Sequence, residues 1–169
     1  HALGQVVGFT IEWPKGRGET ALMRALNGRL PPDIVISTLA EASPGFHPRF
    51  DARRRTYEYR VLNAAVRQPL LRHRAWHVAA RLDETRMNAA AALLIGAHDF
   101  ATFGRPPAGD NTVREVYRAD WRSEGLDDGR TLVFHICANA FLFRMVRSLV
   151  GSLRKVGDGS WSVDDFAAA

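Results

Sequence analysis

Three features of this 169-residue sequence predict an α+β fold, with helices layered on a largely antiparallel sheet. Strand-like and helix-like segments are interspersed along the chain. Residues 114–124 and 131–138 read as two strands of a hairpin joined through Asp128-Gly129. Residues 139–156 carry Leu142, Val146, Leu149, Leu153 and Val156 on one helical stripe, an apolar side suited to lie on a sheet. Apolar residues make up 46% of the chain, enough for a core.

The remaining elements follow in order. Residues 5–13 are apolar and β-branched, which predicts a strand. Residues 20–30 place Leu22, Ala25, Leu26 and Leu30 on one stripe of a helix, and Pro31-Pro32 stops it. Residues 33–39 form a short apolar strand, and Ser43-Pro44-Gly45 a turn. Residues 56–62 alternate: Tyr57, Tyr59 and Val61 face one way, Thr56, Glu58 and Arg60 the other. Asp83-Glu84 opens a helix whose buried stripe is Met87, Ala90, Ala91 and Leu94, and residues 104–111 are a Pro/Gly loop. No repeat, low-complexity tract or strong linker interrupts the pattern. The first residues read as mid-chain and residues 164–167 as a helix cut short, so a fragment of a longer protein is expected.

Composition narrows the function. The formal net charge is +5 and the sequence pI about 10.1. Nearly all of the positive charge is arginine, since Lys15 and Lys155 are the only lysines. Guanidinium forks suit phosphate, and a basic balance points first to nucleic acid. Cys137 is the single cysteine, which excludes an internal disulfide framework and fits a reducing, cytoplasmic compartment. No apolar run is long enough to span a membrane. There is no Gly-Lys-Ser/Thr phosphate loop, no dinucleotide fingerprint and no hydrolase signature. His73 and His77 share a face if that stretch is helical, but no acidic or cysteine ligand joins them, so no metal is expected. His98-Asp99 reads as a helix-ending turn more readily than as a base and its orienting acid.

Two constellations remain. Arg49, Arg53, Arg54, Arg55, Tyr57, Tyr59 and Arg60 lie close together. Arginines interleaved with aromatic rings suit RNA, neutralising phosphates and stacking on an extruded base. The same spacing also describes a solvated edge strand with core tyrosines. The second runs from Asn139 through Phe141, Arg144 and Arg147 to Gly151. Helical geometry puts Arg147 off the apolar stripe, beside Arg144 and Arg154, where its fork can meet a carboxylate or phosphate. Gly151 leaves room for a close neighbour.

Several collinear segments resemble the tRNA pseudouridine synthase A family, whose members modify the anticodon arm. His1-Ala2-Leu3-Gly4-Gln5-Val6 is similar to the tail of the family's Arg-Thr-Asp-Ala-Gly-Val-His-Ala motif. Leu26-Asn27 through Leu30-Pro31-Pro32-Asp33-Ile34 resembles its helix-to-strand junction, and Phe46-His47-Pro48-Arg49-Phe50 with Ala52 its Phe-His-Ala-Arg-Phe element. Tyr57-Glu58-Tyr59, His98-Asp99-Phe100 with Phe103, Asn139-Ala140-Phe141, Met145-Val146-Arg147 and Val150-Gly151 continue the match. Gly104 departs from it, because the family has arginine there and Arg105 follows one place later.

The resemblance implies the family's fold, two ferredoxin-like lobes. Residues 1–45 would be a remnant of the first lobe and the inter-lobe segment, and residues 46–169 the catalytic lobe. It implies isomerisation of uridine to pseudouridine in tRNA, without cofactor or metal, by a homodimer. Tyr57 and Arg147 are the catalytic residues it implies. Tyr57 would stack on the flipped base, whose extrusion costs a few kcal/mol, and Arg147 would orient the attacking aspartate. RNA contacts are implied for His47, Arg49, Arg53, Arg54, Arg55, Arg105, Asn139, Phe141 and Arg144. The family aspartate falls four residues before His1, so the stretch by itself is expected to be inactive. The rival expectation is a non-catalytic RNA-binding domain that keeps the fold.

Overall fold

Alternation of apolar residues along three strands builds the core of the larger unit. The computed structural model describes every residue except His1, Trp13, Lys15 and residues 126–128, in two units, His1–Ala52 and Arg53–Ala169.

In the second unit, β1 (Arg55–Asn63), β2 (Trp76–Val78), β3 (Gly96–Asp99), β4 (Val113–Glu124) and β5 (Arg130–Ala138) form one sheet in the order β2-β1-β5-β4-β3. Only the β1–β2 pair is parallel. On β5, Leu132, Phe134, Ile136 and Ala138 are fully buried, and Val61, Val116, Ala119 and Trp121 join them from β1 and β4. Helices α2 (Glu84–Ala92) and α3 (Met145–Gly157) close this core with Met87, Ala90 and Ala91 from one, and Met145, Leu149, Val150, Leu153 and Val156 from the other. Each of the larger of these side chains, the Val, Leu, Ile, Phe and Met, contributes roughly 1.5–3 kcal/mol on burial. A short α4 (Val163–Ala167) adds Phe166 and starts with a reciprocal Ser162–Asp165 cap. The α+β architecture with a largely antiparallel sheet is as the sequence predicts.

Several boundaries differ from the sequence reading, each for a local reason. The β4–β5 hairpin is present, but the Asp128 part of its turn lies outside the described residues. The helix read over residues 139–156 begins only at Met145. The backbone donors of its would-be first turn are engaged elsewhere: Ala140 N donates to Asn139 Oδ1 (2.6 Å) and Phe143 N to Arg105 O (2.8 Å). Leu142 is still buried, from the loop. His98-Asp99 is not a helix-ending turn; it lies in β3 on the sheet edge, paired with Arg114 and Val113. His73 and His77 share no helix, because His77 sits in β2 and its Nε2 meets Ala64 O at 2.8 Å. Gly151 has no neighbour within 4 Å of where a Cβ would stand, so it accommodates no close approach.

In the first unit, α1 is Glu19–Asn27, shorter than residues 20–30. The Gly28 N–H bonds back to Arg24 O and the chain then leaves the helical path ahead of Pro31. Only Leu22 of the expected stripe is buried. Neither residues 5–12 nor residues 33–39 form a strand. The second segment is held instead by a side chain: Asn27 Nδ2 donates to Ile36 O (3.0 Å) and Asn27 Oδ1 accepts from Ile36 N (2.8 Å). Strand-like sequence without a partner strand leaves Val6, Val7, Phe9, Ile34 and Val35 exposed.

Candidate active site

One end of the second unit's sheet gathers the start of β1, the end of β5, the loop 139–144 and the first turn of α3. Tyr57 pairs with Ile136 across the ladder. It therefore shares the helix-covered face with that core residue, yet at the strand's start it is 49% exposed. Phe141 stands edge-on to it, with ring centroids 5.1 Å apart at 81°, a favourable aromatic geometry. Phe141 thus flanks one side of the ring, and about half of the residue faces solvent.

Two residues before Tyr57, Arg55 Nη1 donates to Asn139 O at 3.2 Å. Asn139 itself continues the β4–β5 ladder by one rung. Its N–H donates to Glu115 O (3.0 Å), and its Oδ1 accepts from Glu115 N (3.1 Å) and Ala140 N (2.6 Å). The side chain replaces the strand that has ended and turns the backbone toward Phe141.

The Pro/Gly loop packs against this turn. Arg105 and Phe143 form an isolated antiparallel bridge. A Cβ on Gly104 would lie 2.7 Å from Leu142 Cβ and 2.8 Å from Phe143 O, so the two backbones approach as only glycine allows. An open cleft of about 450 Å³ results, lined by Thr102, Arg105, Phe143, Arg144 and Ser148 among others. Arg144 is the one non-glycine among the described residues with positive φ (65°), a conformation that costs on the order of 1 kcal/mol. Its guanidinium lies 5.3 Å from the exposed Phe143 ring.

The structure joins Arg55 to Asn139 and Tyr57 to Phe141, and places Arg105 and Arg144 on one cleft. Arg147 is exposed in the first turn of α3. Arg53 and Arg54 are exposed just ahead of β1. His47 and Arg49 belong to the first unit, in a tight turn. There His47 N donates to Asp51 Oδ2 (2.7 Å), Arg49 N to His47 Nδ1 (3.2 Å), and Arg49 lies 5.9 Å from the Phe50 ring centroid. Three features escaped the sequence reading: the Glu115 clamp, the Gly104 approach, and Thr102 with Ser148 in the cleft. All depend on contacts between segments far apart in sequence.

Nearby electrostatics is structural. Asp99 is held below the usual carboxylate range, chiefly by a hydrogen bond from Thr112 and then by the Ala101 N–H (2.9 Å). Among the described residues, no group of three or more His, Cys, Asp or Glu side chains could hold a metal ion, and no helix is long and apolar enough to cross a membrane.

A family profile described as tRNA pseudouridine synthase matches residues 90–169. The tRNA pseudouridine synthase A of Chloroflexus aurantiacus is 41% identical over 167 residues, covering 98% of this chain and 59% of the relative. That of Neisseria gonorrhoeae is 41% identical over 170 residues, 99% of this chain and 62% of the relative. That of Pseudothermotoga lettingae is 38% identical over 170 residues, 99% and 66% respectively. The chain therefore spans about three-fifths to two-thirds of the length of these curated relatives.

Proposed function

The chain belongs to the tRNA pseudouridine synthase family, and from that premise we propose that the full-length protein converts uridine to pseudouridine in the anticodon arm of tRNA. The C1′–N1 bond breaks, the uracil turns, and C1′ bonds to C5, with the C5 proton lost and N1 reprotonated. The leaving base is also the incoming one, so the atoms balance without a cofactor. The observation that carries the reading is Tyr57, half exposed and braced edge-on by Phe141, among arginines and within a chain 41% identical to a named synthase over 98% of its length.

In this reading the target uridine leaves its stack and lies against the Tyr57 ring, with the phenol positioned to assist loss of the C5 proton. Arg147, on the first turn of α3, orients and keeps ionised the attacking carboxylate of the family's aspartate motif. Arg53, Arg54, Arg55, Arg105 and Arg144 meet phosphates, with Phe141 beside the flipped base; His47 and Arg49 of the first unit are further RNA contacts in this reading. A homodimer would let one tRNA reach both copies.

The test is tritium release from tRNA labelled at uridine C5, using the full-length protein. Release at stoichiometric tRNA, mapped to the anticodon arm, is the expected result. Tight tRNA binding without any release would support a binding domain instead.

A further inference from the structure

We propose that Asn139 is a positioning residue for the Tyr57 site, acting through its oxygen atoms and not through a contact with RNA. This inference rests on the reading of Tyr57 given above.

Three segments meet at Asn139, held through its backbone N–H, its Oδ1 and its backbone carbonyl. Its backbone N–H and Oδ1 together grip both the carbonyl and the amide of Glu115, extending the β4–β5 pairing beyond the Val116–Ala138 rung. The same Oδ1 accepts from Ala140 N, which tightens the turn that delivers Phe141. Its backbone carbonyl accepts from Arg55 Nη1, two residues before Tyr57 on the adjacent strand. Tyr57 therefore sits between two neighbours, Arg55 and Phe141, that are both registered by one residue.

The chemistry of the bonds singles out the acceptor. Both side-chain bonds run through Oδ1, and among the described residues the Nδ2 amide has no protein partner. A residue conserving the oxygen should therefore substitute, whereas one needed to donate an N–H to a phosphate should not be replaceable by a carboxylate. Asparagine and aspartate differ here in one respect that matters. Aspartate keeps two acceptor oxygens for the Glu115 and Ala140 amides, and strengthens those bonds by its charge. Toward a phosphate it is repulsive. Alanine removes the acceptor altogether and leaves two amide groups without their partner.

The experiment compares Asn139→Ala and Asn139→Asp in the full-length protein. Single-turnover pseudouridine formation at saturating tRNA, tRNA Kd, and hydrogen exchange at the Glu115 and Ala140 amides are measured on each. Asn139→Ala should lower the single-turnover rate by about 10-fold or more, leave Kd within about threefold, and lose protection at both amides. Asn139→Asp should restore the rate to within about threefold of the starting protein and restore protection. The opposite pattern overturns the proposal: Kd weakened in both variants, most in Asn139→Asp, with the rate at saturation unchanged. Amide protection unchanged in Asn139→Ala would also overturn it. If the unaltered protein releases no tritium, the functional reading fails separately, and the exchange data still decide whether Asn139 holds the turn.

Discussion

Tyr57 and Arg147 carry different chemical burdens, and single atoms separate them. Tyr57→Phe keeps the ring and its edge-on contact with Phe141 but removes the hydroxyl. If that group handles a proton, turnover should fall about 10²-fold while tRNA affinity stays nearly constant. Arg147→Lys keeps a positive charge but loses the planar two-point fork, and should also depress turnover far more than affinity. Measuring Kd and single-turnover rate on the same proteins checks both. Near-normal rates in the two variants would leave Tyr57 as a half-buried strand residue and Arg147 as solvated surface.

At the scale of elements, two junctions are exposed to test. The Pro/Gly loop lies against the turn before α3 so closely that Gly104→Ala puts a Cβ within 2.8 Å of Leu142 Cβ and Phe143 O. Those are the root atom of a side chain and a backbone oxygen, not the flexible tip of a side chain, so the loop must shift. A cost of about 1–3 kcal/mol is expected. It should be read as a lower denaturation midpoint together with weaker tRNA binding, since Arg105 moves with the loop. A midpoint equal to that of the unaltered protein would mean the loop is not seated there. On β4, Asp120 accepts hydrogen bonds from Arg118 and, at 3.0 Å, from Arg122. The Arg118 bond, foremost, holds the Asp120 carboxyl below its ordinary value. A depressed folded pKa means a stabilising contribution present above the unfolded value of about 3.9 and lost as pH falls through the folded one. Urea midpoints of Asp120→Asn and the unaltered protein should therefore differ slightly at pH 7 and converge toward pH 3. The effect is small because the pair is partly solvated. Curves that stay parallel down to pH 3 would remove the ion pair from the account.

For the whole molecule, charge is the governing quantity. With a formal net charge of +5 carried almost wholly by arginine, binding to tRNA should weaken steeply with salt as counterions are released. Arg53 and Arg54 are exposed where the chain enters β1. Replacing both with glutamine should reduce the slope of log Kd against log salt by about 1–2. An unchanged slope would mean that these two side chains face away from the phosphates.

What the sequence determined by itself was periodicity and chemistry. The alternation around Tyr57 and Tyr59, the Asp83 cap with Met87, Ala90 and Ala91 behind it, and the two strands of the hairpin were legible because each depends on neighbours a few residues apart. So were the arginine-rich stretch and the motifs that resemble one family. Tertiary structure decided where such patterns stop. Residues 139–144 have helical spacing, but the Phe143 amide that a helix would bond to the Asn139 carbonyl donates to Arg105 O instead, and Arg144 turns left-handed. His98 and Asp99 became an edge strand because β4 was there to pair with them. Residues 5–12 and 33–39 carry strand-like side chains but found no ladder. The physical reason is common to all three: a backbone hydrogen bond needs a partner, and local sequence does not say which distant segment supplies one.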